Sequence, residues 1–165
     1  MIRISPATPT GLTLDLDHEA DTAALGAVLA GVVRPGDVVG LVGTLGAGKT
    51  RLSRAVAEAL GVDPGAIASP TFVLIHEYEG SIPVYHFDAY RLDDADAFDA
   101  LGAADYWADG GGLCLVEWAD LVADRLPLDA WWITLTPGAE PGARSVAIRH
   151  PDPARLAALV TALAS

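Results

Sequence analysis

One octapeptide in the chain fits a phosphate-binding loop in full. Residues Gly43–Thr50 read Gly-Thr-Leu-Gly-Ala-Gly-Lys-Thr, which satisfies the pattern G-x-x-x-x-G-K-[ST]. In such a loop, backbone N–H groups surround phosphate oxygens, and the hydroxyl of the last residue contacts Mg²⁺. Lys49 is the only lysine in the chain. A compact ammonium fits inside a ring of N–H groups, whereas a planar guanidinium does not.

Apolar residues on both sides place this loop between a strand and a helix. Asp37–Val42 is a short apolar run that predicts a buried strand. Leu52, Val56 and Leu60 then recur at helical spacing. Gly61 stands where a helix C-cap glycine is expected. Strand, glycine-rich turn and helix therefore follow in the order that a phosphate loop requires.

The rest of the chain alternates between predicted strands and helices. Strands are predicted at Thr71–Tyr78, Ile82–Phe87, Leu113–Val116, Trp131–Thr136 and Arg144–Arg149. Helices are predicted over about Glu19–Val33, within Asp93–Asp109, and after the N-cap residue Asp152. We expect an α/β fold, with one P-loop NTPase-like domain over residues 1–165. Its mixed sheet should be parallel in the centre, carry antiparallel hairpins at the edges, and be flanked by helices.

Two acidic residues stand at the ends of predicted strands. Glu117 directly follows Leu113–Val116, and Asp88 directly follows Val84–Phe87. A phosphate loop is usually completed by a carboxylate at the end of a neighbouring strand. Each carboxylate could reach Mg²⁺ directly or through water, and each could instead be a solvated strand end.

The composition restricts the ligands and partners of the chain. Its formal net charge is −12, which argues against a broad nucleic-acid surface because binding phosphate backbones relies on many Lys and Arg contacts. There is no Asn and no Gln. The N-K-x-D motif that reads guanine is therefore absent, which favours ATP over GTP. A glutamine that orients water, as in many GTPases, is absent as well.

We expect a cytoplasmic protein without membrane association. Residues 1–6 contain no secretory hydrophobic segment, and no apolar run approaches the length needed to span a membrane. The single cysteine, Cys114, lies in a predicted strand and is expected to be a small core residue.

Four motifs, taken in order, resemble one protein family. They are Gly46–Thr50, Ser69–Phe72, His86–Leu92 and Val116–Trp118. Together they resemble the TsaE family, the small ATPases of bacterial tRNA threonylcarbamoyladenosine synthesis. The first motif alone is shared by many phosphate-loop proteins. Four motifs with matching order, spacing and chain length are specific.

The resemblance implies a site for ATP or ADP and Mg²⁺. The nucleotide-binding residues would be Glu19 beside the base, then Leu45, Gly46, Ala47, Gly48, Lys49, Thr50 and Asp88. Thr50 and Glu117 match the magnesium ligands of the family. We expect Lys49, Glu117 and Asp88 to act in hydrolysis. Ser69–Phe72 resembles a first mobile switch segment, and Glu117-Trp118 begins a second.

The resemblance also implies a partner. Proteins of this family bind the TsaB–TsaD heterodimer, where ATP hydrolysis supports repeated turnover, and TsaD performs the carbamoyl transfer. No direct contact of this chain with tRNA is expected. Two positions depart from the family: Thr44 replaces a common acidic residue, and Arg51 replaces Thr or a small polar residue. The first departure weakens a catalytic role for a loop carboxylate.

Two other functions fit a phosphate loop. A small-molecule kinase would add an acceptor pocket and usually an arginine-rich lid, but Asp93–Asp109 is acidic and lacks arginine. An adaptor without significant hydrolysis would use the nucleotide only to fix its shape.

Overall fold

Eight strands form one sheet in the computed structural model, which describes residues 1–5, 8–67 and 74–165. The strands are β1 (Ile2–Ile4), β2 (Gly11–Leu16), β3 (Val38–Val42), β4 (Ile75–Tyr78), β5 (Val84–Asp88), β6 (Leu113–Glu117), β7 (Trp131–Pro137) and β8 (Arg144–Arg149). Their order across the sheet is β1-β2-β8-β7-β3-β6-β5-β4.

The sheet is parallel in its centre and antiparallel towards both edges. β7, β3, β6 and β5 run parallel to one another, while β1, β2 and β8 on one side and β4 on the other pair antiparallel with their neighbours. This confirms the predicted fold class. Because Glu117 pairs in register with Leu41 and with Asp88, the carboxyl ends of β3, β5 and β6 meet at one edge. Ligands of open α/β sheets usually bind at that edge.

Helices cover both faces of the sheet. They are α1 (Glu19–Val32), α2 (Lys49–Ala59), α3 (Ala95–Ala100), α4 (Ala103–Ala108) and α5 (Pro153–Leu163), with 3₁₀ turns at Pro64–Ala66 and Ala119–Arg125. Leu25, Leu52 and Leu159 belong to the core under α1, α2 and α5. Phe98 and Val122 belong to a second core on the other face. The sheet is therefore buried on both sides, as its near-continuous apolar central strands require.

The predicted elements are found with small shifts at their ends. The first helix begins at Glu19 as predicted, and Gly61 follows α2 with a φ of 87°. Asp152 caps α5 by accepting a hydrogen bond from the Ala154 amide. The structure begins β4 at Ile75. The first residues of the predicted strand, Thr71–Val73, lie outside the described residues.

β1 and β2 were missed by the sequence analysis. The alternation of Leu12, Leu14 and Leu16 with Thr13 and Asp15 is the signal, because these leucines are buried while their neighbours are partly exposed. These two strands extend the β8 side of the sheet, away from β5 and β6.

Cys114 is a buried core residue, as predicted, and burial raises the pKa of its thiol to about 12.

In the part of the chain that the structure describes, no helix combines the length and apolar character needed to cross a membrane.

Candidate functional site

The loop Gly43–Thr50, called the motif loop below, connects β3 to α2 at the carboxyl edge of the sheet. Gly48 has a φ of 107°, a conformation that favours glycine. A Cβ on Gly43 would lie 2.6 Å from the carbonyl oxygen of Leu135. Glycine at both positions therefore permits the turn and its close approach to β7.

The first turn of α2 faces the same edge. The helix begins at Lys49, so the first N–H groups of this turn have no partner within the helix. Together with the helix dipole, these groups favour an anion at this end.

Lys49 is almost fully buried, with 5% of its surface exposed. Its Nζ donates to the carbonyl oxygens of Gly43 at 2.6 Å and Thr44 at 2.9 Å. The ammonium also lies 3.9 Å from the centre of the Trp118 ring, close enough for a cation–π contact. The side chain is thus held by the motif loop on one side and an aromatic ring on the other.

The charge on Lys49 is subject to opposing influences. Burial lowers the pKa of Lys49 below its ordinary value, and the negative charges of Glu117, Asp120 and Asp88 oppose this shift. An anionic ligand near the ammonium would favour the charged form further.

Thr50, Glu117 and His86 form a chain of hydrogen bonds. The Thr50 hydroxyl donates to Oε2 of Glu117 at 2.9 Å, and Nε2 of His86 donates to Oε1 at 2.8 Å. Glu117 is 2% exposed and His86 is 4% exposed. Both oxygens of a buried carboxylate are therefore directed by neighbours, which fixes the orientation of the group.

Asp88 lies beside this chain. It ends β5 and pairs in register with Glu117 on β6. Its Oδ1 accepts a hydrogen bond of 2.9 Å from the backbone N–H of Tyr90. The two candidate carboxylates therefore lie on neighbouring strands, at the same edge of the sheet.

Trp118 is the only non-glycine residue with a positive φ, 58°, among residues 1–5, 8–67 and 74–165. Its ring lies 4.5 Å from the Tyr90 ring, centre to centre, as well as over Lys49. Such conformations persist only where the surrounding structure enforces them, and they concentrate at functional sites.

A pocket of about 410 Å³ opens at this edge of the sheet. It is lined by Glu19, Thr22, Leu45, Gly46, Gly48, Lys49, Thr50, Arg51, Asp88, Tyr90, Arg91, Glu117, Trp118 and Arg144. All predicted site residues except Ala47 line it. Ala47 is fully buried, and its carbonyl accepts a hydrogen bond from Arg144.

Several residues of the pocket were not assigned a role from the sequence. Arg144 and Thr22 belong to no local sequence motif. Arg144 is 97 positions from Ala47, so only folding brings these two residues into contact. The buried position of His86 against Glu117 was not foreseen, although its place in the motif His86–Leu92 was the available signal.

Arg51, which departs from the family pattern, forms an ion pair with a nearby carboxylate. Nη1 of Arg51 lies 3.4 Å from Oε2 of Glu19, and both side chains are largely exposed. This pairing partly offsets the positive charge that Arg51 adds beside the motif loop.

The predicted switch segment Ser69–Phe72 lies outside the described residues.

Thr50 and Glu117 are suitable ligands for Mg²⁺. A hydroxyl and a carboxylate oxygen are hard donors, and they are already within 2.9 Å of each other. Among the described residues, no group of three or more His, Cys, Asp or Glu side chains could hold a metal ion. At nucleotide sites, Mg²⁺ usually takes one or two protein ligands, and phosphate oxygens and water complete its coordination.

The central parallel strands, the motif loop and the strand-end carboxylates define an α/β protein of the P-loop NTPase-like class. The family model described as "Threonylcarbamoyl adenosine biosynthesis protein TsaE" matches residues 16–146. The chain belongs to the TsaE family.

Individual relatives and a solved structure are consistent with this family membership. The chain is 42% identical over 116 residues to the tRNA threonylcarbamoyladenosine biosynthesis protein TsaE of Bacillus subtilis, covering 70% of this chain and 71% of that protein. It is 39% identical over 137 residues to the protein of the same name from Mycobacterium bovis, covering 76% and 81%. The crystal structure of Bacillus subtilis YdiB aligns with a TM-score of 0.75 at 30% identity, covering 99% of this chain and 96% of that one.

Proposed function

We propose that this protein binds and hydrolyses ATP with Mg²⁺ as an accessory protein of tRNA N6-threonylcarbamoyladenosine modification, acting with a TsaB–TsaD-like complex. The names of its relatives support the place in tRNA modification. The observation that most directly supports the ATPase proposal is the contact between Thr50 and Glu117, the two candidate Mg²⁺ ligands, at the end of the motif loop.

The motif loop and α2 would bind the phosphates. The N–H groups of the first turn of α2 are donors that favour phosphate oxygens, and Lys49 adds a positive charge in the same pocket. Lys49 would exchange its carbonyl partners for phosphate oxygens with a small displacement of a flexible side chain.

Thr50 and Glu117 would hold Mg²⁺, with His86 fixing the carboxylate of Glu117. When bound, Mg²⁺ supplies positive charge that offsets the charge developing on the phosphates during transfer. Asp88 is the second carboxylate at the end of a central strand, and we assign it to ordering the metal's water or the attacking water. Glu19 would lie towards the base of the nucleotide.

Isothermal titration calorimetry with ATP tests the binding step. We expect binding in the presence of Mg²⁺ that weakens when EDTA removes it. Thr50→Val should lose this difference between the two conditions, because a hydroxyl ligand is gone. Thr161→Val, an exposed threonine of α5, is the matched control and should bind like wild type. Absence of ATP binding by the wild-type protein would contradict the proposal.

Two assays separate the other functions. Phosphoryl transfer from ATP to a panel of metabolites would identify a kinase, for which the acidic segment Asp93–Asp109 makes a poor phosphate lid. ATP binding without turnover, even with the TsaB–TsaD complex present, would identify an adaptor.

A further inference from the structure

Arg144 connects β8 to the motif loop, which follows β3 on the other side of β7. It is the first residue of β8, and its side chain is partly buried against the loop. Its Nε donates to the carbonyl oxygen of Ala47 at 2.7 Å, and its Nη2 lies 3.3 Å from the carbonyl oxygen of Gly46. One guanidinium thus binds two consecutive carbonyl groups of the loop.

These contacts determine how the loop presents its N–H groups. In a planar trans peptide, the C=O and the following N–H point in opposite directions. Holding the carbonyl of Ala47 against Arg144 therefore turns the N–H of Gly48 away from Arg144. Gly48 lines the pocket, so this orientation favours a donor directed towards a bound phosphate.

The packing around Gly48 supports the same conclusion. Gly48 has a φ of 107°, and a Cβ built on it would lie 3.5 Å from Nε of Arg144. The guanidinium therefore lies directly behind the peptide that it binds. A free loop of this composition would have many other conformations available, because glycine restricts the backbone least.

We propose that Arg144 is a positioning residue that holds the peptide groups of Gly46 and Ala47 so that the motif loop is preorganised for phosphate. It acts through the loop on ATP and ADP alike. This inference rests on the proposed function as far as nucleotide affinity is concerned. The ordering of the loop is a property of the chain without ligand.

The sheet itself does not depend on this side chain. The backbone of Arg144 pairs with Leu16 on β2 and with Pro137 on β7. Substitution of the side chain leaves this pairing available, so Arg144→Gln and Arg144→Lys should fold. Arg149→Gln is the matched control because Arg149 ends the same strand, far from the loop, and is exposed.

Amide hydrogen exchange in the absence of nucleotide tests the ordering of the loop. We expect Arg144→Gln to exchange about tenfold faster than wild type in a peptide covering residues 44–50, since hydrogen bonds from a charged donor are lost. Peptides from α5 should be unchanged, which distinguishes loop ordering from global destabilisation. Arg144→Lys should restore part of the protection, because an ammonium can still donate to one carbonyl.

Titration with ADP and with ATP tests the consequence for binding. We expect Arg144→Gln to weaken both nucleotides by a similar factor of about ten, with Arg149→Gln unchanged. Loop exchange equal to that of Arg149→Gln would overturn the proposal. So would normal ADP affinity together with lost hydrolysis, since that result would place Arg144 on the terminal phosphate. If wild type binds neither nucleotide, the proposed function fails, and the exchange experiment still decides whether Arg144 orders the loop.

Discussion

The hydroxyl of Thr50 donates a hydrogen bond of 2.9 Å to Oε2 of Glu117, across 67 positions of sequence. This contact joins the first turn of α2 to the carboxyl end of β6. It brings a neutral and an anionic oxygen ligand together, while Lys49 lies in the same pocket. The candidate metal ligands and the candidate phosphate-binding lysine are therefore assembled by the fold itself.

Glu117→Gln should retain nucleotide binding and lose most hydrolysis. The amide is nearly the same size but lacks the charge that positions Mg²⁺, and metal positioning affects the transition state more than ground-state contacts. We expect turnover to fall by about a hundredfold, or ~2.7 kcal/mol in barrier height. Glu140→Gln in the exposed β7–β8 turn is the control. Unchanged hydrolysis would show that Glu117 is not a metal ligand. Asp88→Asn should act in the same direction.

Lys49→Ala should lose nucleotide affinity by about ten- to a hundredfold, as expected for loss of a charged hydrogen-bond donor. The fold should survive, because burial of the Lys49 ammonium has a desolvation cost in the folded chain, which also lowers the pKa of Lys49. Replacing the side chain by alanine removes that cost. Circular dichroism and thermal unfolding check the fold, and calorimetry checks affinity. Lys49→Arg should also fail, since a guanidinium does not fit the loop. Wild-type affinity and turnover in Lys49→Ala would exclude the assignment.

Asp37 and Arg155 should make a measurable contribution to stability. Both guanidinium Nη atoms of Arg155 contact the carboxylate of Asp37, and the two side chains are only 14% and 11% exposed. Removing one partner leaves a largely buried charge without its counterion, so Asp37→Asn or Arg155→Met should cost about 2–4 kcal/mol. Urea unfolding measures this cost. Arg3→Met, which breaks the more exposed pair with Asp17, should cost less than about 1 kcal/mol.

The isolated chain should not bind tRNA tightly. Its net charge is −12, and several arginines are engaged with carboxylates, including Arg51 with Glu19 and Arg125 with Asp99. Few cations remain to release counterions from a phosphate backbone. A gel-shift titration at moderate salt with ATP present tests this. Micromolar or tighter binding that weakens steeply with added salt would contradict the prediction.

The sequence was sufficient for much of the fold because its signals are local. The apolar runs Asp37–Val42 and Leu113–Val116 predicted buried strands, which the structure shows as β3 and β6, and the motif loop after the first run limited the topology. Asp88 and Glu117 could be identified as candidate ligands because each directly follows a predicted strand. β2 had an equally local signal in its alternating leucines, which was overlooked.

The remaining parts of the site depend on tertiary contacts. The contacts of Arg144 with Gly46 and Ala47, and of Trp118 with Lys49, have no periodicity or spacing that a sequence could display. The backbone of Trp118 is in a left-handed conformation that residue identity alone does not predict. Catalytic and binding roles of the pocket residues stay predictions.

We propose above all that this chain is a Mg²⁺-dependent ATPase whose turnover depends on a protein partner. ATP hydrolysis by the purified chain, measured alone and with purified TsaB–TsaD heterodimer, tests it most directly. We predict slow hydrolysis alone, a clear increase with the heterodimer, and no increase for Lys49→Ala. The chain has no glutamine to order water, so the partner would complete the site. Fast hydrolysis by the isolated chain, unaffected by the heterodimer, would contradict the account.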